Sequence, residues 1–218
     1  MHHSTQGIVL NCTCYKDNAY IVSIFTRDFG KVSYSVHHPQ GKRAKIRKHH
    51  LQPLSLLEME VQHRENKDIQ QLGEVKLQPI SYDLYDNPLK ISICFFMAEV
   101  IDKSTESINA DADLFDFLQQ SISLLATTQS ISHFALLFLL DYAKYIGIYP
   151  YDELDNEWIR LQAKEDQRII QLLLDQCSSL SGSEKRKAMQ LLIAYYRYYL
   201  PGMGELKSLS VLSEVFSI

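Results

Sequence analysis

The feature that most constrains this chain is a change of hydrophobic period at Asp86-Asn87-Pro88. Before it, apolar residues come in short alternating runs rich in β-branched and aromatic side chains. After it, they recur on broad faces at helical spacing. An N-cap residue followed by Pro starts a helix well, because Pro lacks the N–H that a first turn leaves unpaired anyway. The sequence therefore predicts an α+β protein with a β domain over residues 1–80 and an all-α domain over 81–218, the boundary falling between Ile80 and Asn87.

Within the first part, Gly7 to Tyr15, Ala19 to Thr26 and Lys31 to Val36 read as strands. Lys16-Asp17-Asn18 and Asp28-Phe29-Gly30 are the turns between them, and Gly30 can supply the positive φ that a hairpin needs. The triplet Asp28-Phe29-Gly30 shares its letters with a kinase metal-binding motif. With no glycine-rich loop and no H-R-D segment beside it, it reads as a turn. Leu54 to Gln62 and Ile69 to Leu77 give two further strands joined by the polar turn His63 to Asp68. Five short strands closed by turns predict a small antiparallel barrel, and the five-stranded form of that architecture is the OB-fold.

The second part reads as helices near 88–106, 112–127, 131–147, 153–164, 167–178, 183–200 and 207–216. Asp111 lies at a cap position, Ser181 to Glu184 has the spacing of a capping box, and Gly147, Pro150 and Pro201-Gly202 close helices.

Charge gives the clearest functional signal. Residues 1–78 carry 11 Lys/Arg against 7 Asp/Glu, whereas residues 79–218 carry 11 against 19. The positive charge is concentrated in His37 to His50, which holds Lys42, Arg43, Lys45, Arg47 and Lys48, four histidines and no acid. A basic connector between strands suits a polyanion, with Arg27 and Lys31 on neighbouring strands extending the surface. The competing reading is a solvated connector with no ligand. An acidic helical part would repel a polyanion and be left for protein partners.

Other chemistry is poorly supported. His37-His38 and His49-His50 share a segment whose cations would repel a metal ion. Asp111, Asp113, Asp116, Asp152, Glu153, Asp155 and Glu157 fall at helix starts, where the helix dipole favours carboxylates without catalysis. Cys12, Cys14, Cys94 and Cys177 form no C-x-x-C pair, and no nucleophile elbow, H-E-x-x-H or P-loop is present. No enzyme, cofactor or metal is expected. Tyr195-Tyr196-Arg197-Tyr198-Tyr199 could stack bases or pack between helices, and packing is the simpler account. No apolar run is long enough to span a membrane and no secretion signal is evident, so a cytoplasmic location is expected.

The opening Thr5 to Leu10 (T-Q-G-I-V-L), then Tyr15 and Phe25 to Ser33 (F-T-R-D-F-G-K-V-S), resembles the start of bacterial recombination mediators of the RecO family. Gln52-Pro53-Leu54, Phe134 to Pro150 ending in Y-I-G-I-Y-P, and Leu206-Lys207-Ser208 extend the resemblance along the chain. It implies an OB-fold followed by a helical domain, binding of single- and double-stranded DNA, and annealing of complementary strands. It also implies two partners, RecR and the acidic-hydrophobic tail of single-strand-binding protein, and help in loading RecA onto coated single strands in the RecF pathway. Many relatives hold zinc through two C-x-x-C pairs in a stretch of the helical domain where this chain has only Cys177. Where many relatives place a basic residue before the third helix, this chain has His133, leaving Lys144 and Arg197 as cations for an acidic tail. The alternative from another class is a protein–protein adaptor whose basic loop is incidental. A nuclease or phosphoesterase would need clustered carboxylates away from helix starts.

Overall fold

Strand β1 (His2–Lys16) is long because it serves two neighbours. Residues 2–8 pair antiparallel with β4 (Leu56–Gln62), and residues from Gly7 onward pair antiparallel with β2 (Ala19–Thr26). Gly7 belongs to both ladders, opposite Leu57 and Thr26. A Cβ there would stand 2.6 Å from Ile24 Cγ2 and 2.7 Å from Met59 Sδ, so the crossing admits only glycine without a shift. The computed structural model describes residues 2–16, 19–37, 46–64, 66–105, 109–129, 131, 133–150, 156–175 and 180–216.

β3 (Gly30–His37) continues antiparallel to β2, and β5 (Ile69–Leu77) runs antiparallel to β4. The ring closes in the order β1-β2-β3-β5-β4, the five-stranded barrel expected of an OB-fold. One seam departs from the fully antiparallel expectation: β3 and β5 are parallel, Ser33 opposite Ile69 and Ser35 opposite Gln71. The reason is parity, since an odd number of strands cannot alternate in direction around a closed ring. Gly30, the first residue of β3, takes φ +66° as the chain leaves the turn, as its place in the sequence suggested. The next strand starts later than expected, at Leu56, because Leu54 has φ +62°. Full burial of Leu54 and its N–H donated to the Val9 carbonyl (2.7 Å) hold that strained backbone in place.

The barrel core joins Val9, Val22, Ile24, Tyr34, Leu57 and Met59 from four strands. Ile46 and Leu51 pack into the same cluster. Ile46 precedes a 3-10 turn, Lys48–Leu51, and Leu51 ends it, so the two moor the end of the basic stretch to the barrel.

The chain forms two compact units, residues 1–128 and 129–218. The first holds the barrel together with α1 (Ile80–Leu84), α2 (Pro88–Ser104) and α3 (Ala112–Thr127). Asn87 and Asp111 cap α2 and α3, accepting from Leu89 N–H and Leu114 N–H at 2.9 Å each. The short α1 has no signal in the sequence reading. Counted by unit, the charge asymmetry disappears: residues 1–128 carry 13 Lys/Arg and 15 Asp/Glu, residues 129–218 carry 9 and 11. The division is between barrel and helices inside the first unit, so the expectation of a strongly acidic second body is corrected.

The second unit contains α4 (Phe134–Tyr145), α5 (Glu157–Arg160), α6 (Lys164–Leu174), α7 (Gly182–Tyr199) and α8 (Ser208–Phe216). Ser181 and Glu184 form the expected capping box at the start of α7. Among the described residues the acidic helix expected near 153–164 is a single turn capped by Asn156, whose side chain accepts from Ile159 N–H at 3.1 Å. Asp152, Glu153, Asp155 and Cys177 lie outside the described residues. Tyr195 and Tyr196 are core residues, their hydroxyls donating to the Ile148 and Leu139 carbonyls, while Tyr198 and Tyr199 face solvent.

Candidate nucleic-acid interface

The cations proposed from sequence fall into three groups. Arg47 and Lys48 are exposed, at the cap and first residue of the 3-10 turn, and neither has an ion pair among the described residues. Lys42, Arg43 and Lys45 lie outside the described residues. Arg27 and Lys31 are occupied. The Arg27 guanidinium makes a two-pronged contact with Asp116 of α3, the second bond 3.0 Å long, and lies 5.6 Å from the Phe115 ring centre. Lys31 Nζ sits 2.9 Å from Asp102 Oδ1 of α2, an oxygen that also accepts from Ser23 Oγ at 2.8 Å. These two cations join strands to helices and have their charge neutralised there.

The surface around Arg47 is shaped by histidines. Arg47 N–H donates to His50 Nδ1 at 3.2 Å, and the His49 and His50 rings meet edge to face with centres 4.2 Å apart. Burial, with His49 and Arg47 close by, pushes the His50 pKa below its ordinary value. A neutral His50 keeps the acceptor nitrogen that holds the Arg47 backbone.

The barrel has another cationic edge, which sequence reasoning passed over as an ordinary turn. Arg64 and Lys67, in the connection from β4 to β5, are exposed and have no ion pair among the described residues. The buried side chain of Gln70 shapes that connection. Its Oε1 accepts from Arg64 N–H at 2.9 Å, and its Nε2 donates to the Arg64 and Lys67 carbonyls at 2.8 and 2.6 Å. Beside it is a cavity of about 230 Å³ bounded by β3 and the β4–β5 hairpin. The signal available in the sequence was a pair of cations three residues apart, masked by Glu65 and Asp68 in the local charge sum.

In the second unit, Lys144 contacts Asp141 at 2.8 Å and lies 5.0 Å from the Tyr149 ring centre. Arg197 Nε donates to the Gly204 carbonyl at 3.0 Å and closes the turn after α7. The structure does not bring Lys144 and Arg197 into one described contact.

Two family models match the chain: Recombination protein O N terminal over residues 1–79 and Recombination protein O C terminal over residues 86–153. The chain belongs to the RecO family. Proteins named DNA repair protein RecO resemble it along their whole length. That of Azobacteroides pseudotrichonymphae is 30% identical, with 99% of this chain and all of the relative covered. That of Phocaeicola vulgatus is also 30% identical, both chains fully covered. That of Flavobacterium johnsoniae is 27% identical over all of both chains.

Membership of the RecO family places the protein in DNA repair and recombination. Its described residues hold no group of three or more metal-binding side chains. Burial pushes the Cys94 thiol up to about 12, which leaves it protonated and a poor nucleophile at neutral pH. Among the described residues no helix is long and apolar enough to cross a membrane.

Proposed function

We propose that this RecO-family chain binds single- and double-stranded DNA through its barrel, without sequence preference, and anneals complementary strands. The observation that carries the reading is the seating of Arg47 and Lys48. Buried Ile46 and Leu51 fix the backbone on either side of them, so two uncommitted cations are held at the barrel surface. Lys42, Arg43 and Lys45 precede them directly in the chain and add three charges to the same segment. Phosphates are contacted by charge, which carries no sequence information. Neutralising two strands at once lowers their mutual repulsion and lets complementary bases meet.

Arg27 and Lys31, paired with Asp116 of α3 and Asp102 of α2, tie the barrel to those helices instead of contacting phosphate. The second unit is the partner-binding half. An acidic-hydrophobic tail such as that of single-strand-binding protein needs apolar contact and a cation together. Helix α4 exposes Leu137, Lys144 and Tyr145, with Arg197 of α7 a second candidate cation. RecR as partner, and RecA loading onto coated strands in the RecF pathway, complete the proposed role at the nucleoid in the cytoplasm. None of these steps calls for catalysis by the protein.

The test is a titration of labelled single-stranded oligonucleotide at several salt concentrations, using wild type and a variant with Lys42, Arg43, Lys45, Arg47 and Lys48 changed to Ala. Wild type should bind with a dissociation constant on the order of micromolar or below, and the salt slope should shrink by about 0.7 for each phosphate contact removed. Equal affinity and slope in the variant would remove this segment from the interface.

A further inference from the structure

We propose that the cavity between β3 and the β4–β5 hairpin is a subsite for one unstacked nucleotide of a single strand. This inference rests on the DNA-binding reading and adds a location and a strand preference to it. Three observations point the same way. Among the described residues the lining holds no acid, while Arg64, Lys67 and His37 contribute to the wall. Gln62 and Gln71 add amides, each able to donate and accept. Ile69, nearly half exposed, offers an apolar face within this otherwise polar lining. A phosphate, a base edge and a sugar or base face are the three chemistries that a nucleotide presents.

Size narrows the ligand. At about 230 Å³ the cavity falls below the ~300 Å³ at which small-molecule pockets usually begin, so it suits one nucleotide better than a dinucleotide cofactor. Construction supports a ligand role as well. Gln70 is buried and spends its side chain on the backbone of Arg64 and Lys67, which presets the two cations before any anion arrives. The place in the chain is also apt, because His37 ends β3 and the basic segment follows it directly. In a duplex the Watson–Crick edges are paired and the bases stacked, so a nucleotide can enter the cavity and meet the amides by that edge only from a free strand.

The experiment compares four full-length proteins on a single-stranded oligothymidine and on a duplex of equal length, across a salt series. They are wild type, the five-cation loop variant, the Arg64→Ala/Lys67→Ala double variant and Gln71→Ala. Thermal midpoints confirm that each is folded. The double variant should lower the single-strand salt slope by about 1.4, twice the ~0.7 per contact, and weaken duplex binding less. Gln71→Ala should weaken single-strand binding by about two- to tenfold, with the salt slope and the duplex affinity unchanged. If wild type and loop variant differ as expected but the double variant matches wild type, the subsite is wrong and the DNA reading stands. Equal losses on single strand and duplex would reduce the cavity to a phosphate contact and overturn the nucleotide assignment. If wild type binds neither DNA, both readings fall together.

Discussion

At the scale of single residues, Gly7 and Gly30 show what a sequence can and cannot disclose. Gly30 was legible, because a glycine between two strand-like runs announces a turn and its φ of +66° is a local property. Gly7 was read only as the first residue of a strand. Its role depends on Ile24 and Met59, which approach from two other strands, and no local pattern announces such a crossing. Leu54 escapes a sequence pattern for a similar reason: its left-handed backbone is imposed by burial and by the bond to Val9. Gly7→Ala should destabilise the protein by about 1–3 kcal/mol, because a methyl group must displace a branched core side chain. Urea unfolding measures this as a lower midpoint at an unchanged m-value. An unaltered midpoint would mean that Met59 and Ile24 yield freely.

At the scale of elements, the positions of helices and strands were legible from period and caps, whereas the assignment of charges to surfaces was not. Arg27 and Lys31 look like solvent-facing strand cations in sequence. Their acidic partners sit 89 and 71 residues further along, on helices that fold back to the barrel. Arg64 and Lys67 give no charge signal for the opposite reason, since Glu65 and Asp68 offset them in the local sum. The Arg27–Asp116 pair has a pH signature. Arg27 holds the Asp116 carboxyl below its ordinary value, chiefly by its hydrogen bonds. A carboxylate with a lower pKa folded than unfolded stabilises the fold above the unfolded value and loses that contribution as pH falls through the folded one. Asp116→Asn should therefore be less stable than wild type near neutrality, and the gap should close below about pH 4, the ordinary carboxylate range. Thermal midpoints recorded across pH check this.

For the whole molecule, the two-part plan was readable in the change of period, but the compact bodies do not follow it. Helices α1 to α3 belong with the barrel, and the acids of α2 and α3 answer its cations, so neither unit is strongly charged as a whole. Division of labour must then rest on local surfaces, which makes it separable by mutation. The barrel cations should govern DNA, and the exposed face of α4 should govern an acidic-hydrophobic peptide. Leu137→Ala with Lys144→Glu replaces the apolar contact and reverses the charge that such a tail would meet. Lys144 is already paired with Asp141, so the peptide must compete with an intrahelical contact worth only about 0.3–0.5 kcal/mol, a small barrier. The double variant should bind a fluorescent acidic-hydrophobic peptide at least tenfold more weakly, since each disrupted contact contributes on the order of 1 kcal/mol. Its affinity for oligonucleotide should equal that of wild type. The five-cation loop variant should show the converse, with DNA binding reduced and peptide binding intact. If the α4 variant lost both activities while keeping its thermal midpoint, the two ligands would share a surface and the division would be refuted.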